Sequence, residues 1–236
     1  MKKFVLPNDY PDMSSSLMHI YLIEAGPRLL AGMSEESSAH AEQFLREMGV
    51  NILLNKRVVD YRDHKVVLED GTEIATRTFI WVSGVTGVTI GNLDASLIGR
   101  GGRIKVDSFN RVEGMNNVFA IGDQCIQLAD ENYPNGHPQL AQVAIQQGEL
   151  LAKNLIRMEK GQEMKPFHYR NLGSMATVGR NRAVAEFSKV KMQGWFAWVM
   201  WLVVHLRSIL GVRNKVIVLL NWVWNYFTYD QSMRMI

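Results

Sequence analysis

Val118-Phe119-Ala120-Ile121-Gly122-Asp123 decides the reading of this chain. Four strand-forming or small apolar residues run into a glycine and then a carboxylate, the pattern of a strand buried on both faces. Glycine at 122 allows a tight turn or the close approach of a ligand. Asp123 is then expected at the carboxyl end of a parallel strand, where open α/β sheets bind their ligands. A carboxylate there can accept hydrogen bonds from the hydroxyls of a sugar or ribityl chain. The structural alternative is an Asp that only caps the next turn.

A polar loop with Gly136, Pro134 and Pro138 leads to Ala141-Gln142-Val143-Ala144-Ile145-Gln146-Gln147, which opens an amphipathic helix expected to reach about Lys160. Pro138 suits the first turn of that helix. Strand, Gly-Asp, loop and Ala-Gln-x-Ala-x-Gln helix together resemble the second flavin-binding motif of the type II NADH:quinone oxidoreductases. These are single-subunit flavoproteins of the two-dinucleotide-binding-domain class. The resemblance runs from Ile20 to Ile236, and 141–146 is its most specific part. Two departures stand out: Asn110-Arg111-Val112 occupy a stretch where the family often has Thr, and Leu140 stands where many members have Thr.

The resemblance implies an α/β fold, a partial two-dinucleotide-binding-domain flavoprotein ending in amphipathic membrane-anchor helices. Residues 1–86 would be the remainder of the NADH-binding domain, 87–188 the carboxyl-terminal part of the FAD-binding domain, and 189–236 the membrane-associating helices. Its implied cofactors are FAD and NADH, and its implied acceptor is a quinone. Hydride would pass from NADH to FAD and electrons onward to the quinone, without proton pumping. Gly122, Asp123, Ala141 and Gln142 are the flavin-side positions. Gln142 and Gln146, four residues apart and so on one helical face, are the candidates to orient quinone carbonyls. No side chain is assigned as catalytic, because hydride transfer is chemistry that the cofactors carry. His137, a lone histidine before a proline, reads as a loop residue.

The front of the chain reads as half of a cofactor domain. Met18-His19-Ile20-Tyr21-Leu22-Ile23 is a buried-strand pattern ending in Glu24. An acid in that place accepts hydrogen bonds from the adenosine ribose of a dinucleotide and repels a 2′-phosphate, favouring NADH. The Gly-rich turn that belongs about 20 residues earlier is missing: residues 2–16 hold no glycine, and no G-x-G-x-x-G occurs anywhere. Lys2-Lys3-Phe4-Val5-Leu6-Pro7 resembles the end of the helix that leaves that turn. The expectation is a carboxyl-terminal fragment of a longer enzyme. A flavin-free, membrane-associated fragment without activity of its own is the competing reading.

Further along, residues 34–48 carry Ala41, Phe44, Leu45 and Met48 at helical spacing. Residues 51–54 and 58–61 read as short strands, and 65–75 as a hairpin around Asp70-Gly71. Thr78-Phe79-Ile80-Trp81-Val82 is expected as another buried strand with Trp81 in the core, closed by Gly84. By resemblance, the backbone at Gly84 passes the nicotinamide amide. Residues 175–187 read as a hairpin turning at 179–182.

Composition excludes several classes. At 236 residues and 47% hydrophobic content the chain can build a sizeable core, and 21% charged content argues against disorder. Cys125 is the only cysteine. It permits no intrachain disulfide, no CxxC redox pair and no Cys-based metal site, and it reads as a small buried residue. Met1-Lys2-Lys3 is basic but no apolar run follows, so no signal peptide is expected and the chain faces the cytosol. From Lys189 onward six basic residues face only Asp230, giving the tail +5 in a chain of net +3 and leaving −2 for the rest. The basic isoelectric point thus belongs to the tail, and no nucleic-acid motif accompanies it.

That tail is the second informative feature. Residues 195–204 are ten consecutive apolar side chains, and five of the six tryptophans lie at 195, 198, 201, 222 and 224. A bilayer span needs about 20 apolar residues, and Gly211-Val212-Arg213-Asn214-Lys215 separates the two apolar runs. Trp and Tyr with flanking Arg and Lys suit helices lying at the headgroup level. Trp198, Trp201 and His205 share one arc, and Trp222, Tyr226 and Tyr229 another. The expectation is a monotopic anchor on the cytoplasmic face of the cell membrane, with two core helices of a soluble fold as the alternative. A homodimer is compatible with the sequence, which does not fix how subunits associate.

Overall fold

The computed structural model describes residues 12 and 14–228, apart from Thr89 and Lys189. Residues 2–7, Lys189 and Tyr229, on which expectations were placed, lie outside the described residues. The chain divides into two compact units: residues 1–79 together with 173–236, and residues 80–172.

In the first unit β1 (Ile20–Ile23) pairs in parallel with β2 (Val50–Leu53), Leu22 opposite Ile52, across helix α1 (Glu35–Glu47). Ser34 caps α1 through its Oγ, which accepts the Ser37 N–H. Glu35 and Glu36 occupy the first turn and Arg46 the last, each at the favoured end of the helix dipole. Ser37, Ser38 and Ala41 form the buried stripe of α1, with Phe44 and Leu45 half-buried. β3 (Val58–Arg62), β4 (Lys65–Leu68) and β5 (Glu73–Ala75) form an antiparallel sheet with Val66 and Leu68 in the core. Its second turn holds Gly71 at φ +84°, the conformation for which Asp-Gly is suited.

The second unit is built from β6 (Ile104–Val106) paired in parallel with β7 (Cys125–Gln127), and helix α2 (Ala141–Glu159). Ile104, Val106, Val112 and Cys125 are its buried apolar cluster. α2 matches the sequence expectation closely, although it begins at Ala141, so Pro138 precedes the helix. The Leu140 N–H donates to the Pro138 carbonyl in the approach turn.

The chain then returns to the first unit. β8 (Ser174–Gly179), β9 (Arg182–Phe187) and β10 (Val190–Gln193) form an antiparallel sheet in the order β10-β9-β8. This hairpin was grouped by sequence with residues 87–172, but it packs on α1. Glu186 accepts from the Ser34 N–H and Oγ, and Arg182 donates to the Phe44 carbonyl. Helix α3 (Gly194–Ser208) lies on β9, where Ala183, Ala185 and Ala197, all fully buried, permit close approach. Helix α4 (Val212–Thr228) follows.

Two expected strands do not form. Residues 78–82 join no ladder, and Trp81 is 60% and Val82 84% exposed, so Trp81 is not a core residue. Residues 118–121 are extended but joined only by an isolated bridge from Phe119 to Arg111, with Val118 48% exposed. The first expected strand is short, and Tyr21 on it is exposed. An apolar run is buried on both faces only when it lies inside a sheet covered on both sides, and among the described residues 78–82 and 118–121 belong to no strand ladder.

Candidate functional site

The turn after residues 118–121 is held from below by α2. Gly122 adopts φ +66°, and its N–H donates to the Gln147 side-chain oxygen at 2.7 Å. A Cβ on Gly122 would stand 3.2 Å from Ala144 Cβ, so the turn needs small residues on both sides. Asp123 is the middle residue of a 3-10 turn over Gly122–Gln124 and is exposed. Gln139 donates to its carbonyl at 3.1 Å.

Gln124, the next residue, reaches Val88. Its amide accepts from the Val88 N–H at 2.9 Å and donates to the Val88 carbonyl at 2.6 Å. Gly84 itself takes φ +93° with open space around it, so backbone conformation rather than crowding requires glycine.

Helix α2 presents its amino terminus beside this turn. Leu140, its N-cap, provides no side-chain hydrogen bond, and Ala141 is exposed. First-turn N–H groups without a side-chain cap, at the positive end of a 19-residue helix, attract negative charge or a carbonyl oxygen. Gly84, Gly122, Asp123, Ala141, Gln142 and Gln146 all belong to the second unit. Glu24 lies in the first unit, at the carboxyl end of β1; its carboxylate accepts the Gly26 N–H at 2.7 Å.

The two glutamines singled out by sequence have partners that sequence did not suggest. Gln146 accepts from the Arg170 N–H at 3.0 Å and donates to the Arg170 carbonyl at 2.9 Å. Gln142 accepts from the Leu172 N–H at 3.0 Å. Local hydrogen bonding is thus part of what each does.

The sequence reading also missed Gln147, which is 1% exposed and joins the helix to Gly122. A signal existed: Val143, Gln147 and Asn154 share the buried stripe of α2, and polar residues in such a stripe need partners. Cys125 is buried, as expected. Its thiol lies 3.7 Å from the Gln147 oxygen, and burial pushes its pKa up, so it stays protonated and inert.

His137 is a loop residue, as expected, but a buried one: it is 1% exposed, its Nε2 meets Asp130 at 3.0 Å, and Phe167 packs edge-on against its ring. The His137 hydrogen bond holds the Asp130 carboxyl below the usual carboxylate range. Arg103, also buried, donates to the carbonyls of Cys125 and His137. This is a structural cluster. Among the described residues no group of three or more acids, histidines or cysteines could hold a metal ion.

In the tail, α3 and α4 enclose an apolar cleft of about 460 Å³ lined by Trp195, Trp198, Leu202, Trp222, Tyr226 and Phe227. Trp198 meets Tyr226 in a tilted ring contact at 5.6 Å, and Arg180 donates to the carbonyls of Asn225 and Tyr226. No helix among the described residues is long and apolar enough to cross a membrane.

The family profile described as pyridine nucleotide-disulphide oxidoreductase matches residues 12–148, which take in Glu24, Gly84, the Gly122–Asp123 turn and the start of α2. The chain belongs to that family. Residues 171–229 match the NDH2 C-terminal domain, which puts it among the type II NADH:quinone oxidoreductases. It is 34% identical over 230 residues to the type II NADH:quinone oxidoreductase NdhA of Mycobacterium tuberculosis, across 92% of this chain and 47% of that protein. It is 32% identical to an internal alternative NAD(P)H-ubiquinone oxidoreductase A1 of Arabidopsis thaliana mitochondria, across 89% of this chain and 44% of that one. The structure of NDH2 from Plasmodium falciparum in complex with NADH superposes with a TM-score of 0.86 at 17% identity, covering 99% of this chain and 63% of that chain. The likeness to that structure establishes the fold. The chain spans about half the length of the curated relatives it matches.

Proposed function

We propose that this chain supplies the flavin-side, quinone-side and membrane-side parts of an NADH:quinone oxidoreductase. The observation that carries the reading is the start of α2. An uncapped helix terminus stands beside a glycine turn in the left-handed conformation, and that turn bears an exposed carboxylate. The residues present fit FAD. Asp123 would be an acceptor for ribityl hydroxyls, and the backbone N–H of the exposed Ala141 would be a donor for the pyrimidine edge of the ring. The positive end of α2 favours the anionic reduced form. Bound FAD would supply a hydride acceptor able to pass electrons on one or two at a time.

The chain's own residues bind and orient. Glu24, fixed by the Gly26 N–H, accepts from the adenosine ribose of NADH and disfavours a 2′-phosphate. Gly84 lets the backbone pass close to the nicotinamide amide. Gln142 and Gln146 orient the quinone without adding charge. Residues 1–86 and 87–172 then serve NADH and FAD respectively, with 173–188 structurally part of the first unit. No residue of this chain is assigned to move protons across a membrane.

Helices α3 and α4 bring the enzyme to its lipid-dissolved acceptor. At 15 and 17 residues they are roughly 22 and 26 Å long, short of a hydrocarbon core of about 30 Å. Exposed Phe196, Val203, Leu220, Trp224 and Phe227 suit the acyl–headgroup boundary, and Arg207 and Arg213 suit the phosphates. The location proposed is the cytoplasmic face of the cell membrane.

Deleting residues 194–236 from the flavin-loaded enzyme tests this. NADH oxidation with a soluble dye should survive, oxidation with a long-tailed quinone should fall, and the protein should leave the membrane pellet. An unaggregated, truncated enzyme that still sediments with membranes would sink the anchor. Exposed Ile80, Trp81 and Val82 favour a second reading for the isolated chain, that these 236 residues alone hold no flavin.

A further inference from the structure

Helix α2 and the segment 165–172 are joined by side-chain amides at three levels. Asn154, 1% exposed, accepts from the Lys165 N–H at 2.9 Å and donates to the Lys165 carbonyl at 2.8 Å. Gln146 makes the same two-bond pair with Arg170, at 3.0 and 2.9 Å. Gln142 accepts from Leu172 at 3.0 Å. The segment runs antiparallel to the helix as a strap, and its own backbone forms no ladder.

A backbone N–H can only donate and a backbone carbonyl can only accept. The paired contacts therefore fix which end of each side-chain amide is oxygen. A flipped Gln146 would set Nε2 against the Arg170 N–H and Oε1 against the Arg170 carbonyl, donor facing donor and acceptor facing acceptor. In the orientation observed, both bonds to Arg170 are satisfied and one Nε2–H remains for a further partner. Quinone carbonyls are acceptors without a proton to give, so a donor held in one orientation matches them.

We propose that the strap, through the Arg170 peptide, orients the Gln146 amide so that it offers an N–H to a quinone carbonyl. This rests on the assignment of Gln146 to the quinone. Arg170 and Asn154 are positioning residues: Arg170 supplies the main-chain groups that lock the amide, and Asn154 ties down the far end of the strap. Neither side chain needs to touch the quinone. Orienting the amide in the free enzyme removes an ordering cost that would otherwise fall on binding.

The test uses the flavin-loaded enzyme with three variants: Gln146→Leu, Arg170→Pro, which removes the N–H that locks Oε1 together with the side chain and the backbone freedom at 170, and Asn154→Leu, which frees the strap at Lys165. Two readouts are taken: hydrogen exchange of the 165–172 amides, and the dissociation constant of a short-chain quinone by tryptophan quenching. Gln146→Leu should weaken quinone binding about two- to tenfold, the worth of one neutral hydrogen bond. Arg170→Pro and Asn154→Leu should each weaken it several-fold wherever the strap amides lose protection. If Gln146→Leu leaves quinone binding unchanged, the quinone assignment itself fails. If Gln146→Leu weakens binding while the other two, with the strap unprotected, bind quinone normally, the orienting role alone is overturned. Should Arg170→Pro not fold, Asn154→Leu decides.

Discussion

Replacing Gln147 by Met removes an amide from the buried stripe of α2 while nearly keeping its length. Its Oε1 is the acceptor for the Gly122 N–H at 2.7 Å, and the side chain is 1% exposed. A donor left unsatisfied in a protein interior costs roughly 1–3 kcal/mol. Gly122 is half-buried, so water reaches it in part and the lower end applies, about 1–2 kcal/mol. With a urea slope of about 2 kcal/mol/M, the unfolding midpoint should fall by ~0.5–1 M. Ile145→Ala, on the exposed face of the same helix, is the reference and should stay within about 0.5 kcal/mol of wild type. A second effect follows from position: Gly122 precedes Asp123, so a loosened turn should also weaken flavin retention. The reasoning is refuted if Gln147→Met matches Ile145→Ala in midpoint with an unchanged slope.

Two other outcomes are expected. Asp130→Asn should cost about 1 kcal/mol near neutral pH, the difference between a charged and a neutral hydrogen bond with His137. Because the folded-state pKa of Asp130 is depressed, the wild-type advantage is full above the ordinary Asp value of about 3.9 and is lost as pH falls through the folded value. The gap between variant and wild-type midpoints should therefore narrow only in acid, and a gap constant to the lowest pH refutes the pairing. The 236 residues expressed alone should purify without a flavin band, since no G-x-G-x-x-G turn is present to take a pyrophosphate at a helix terminus; a stoichiometric yellow protein would contradict this.

Elements whose burial is local were legible in the sequence. The amphipathic stripe of α2 set its length to within a residue at the carboxyl end, and Asp70-Gly71 marked its hairpin. Residues 78–82 and 118–121 were not, because a doubly buried strand is defined by neighbours, and an apolar run carries no information on whether they are there. Of the candidate site, position is what can be compared: Gly122, Asp123, Ala141, Gln142 and Gln146 lie in one unit, the last three on α2, which starts where the sequence places it. Their hydrogen bonds were not legible. Segment 165–172 has no periodicity, so nothing in it announces that Lys165, Arg170 and Leu172 lend their backbone to α2. Nor does a motif at 141–146 draw attention to Gln147, which does the holding from the opposite face.

The most direct measurement is an anaerobic double-mixing experiment on the flavin-loaded enzyme. NADH is added first to bleach the flavin, and a quinone is added second. The account predicts that bleaching is followed by reoxidation with quinol formed in proportion, and that Gln146→Leu slows only the second phase. Flavin that NADH reduces but quinone never reoxidises, while a soluble dye does so readily, would contradict it.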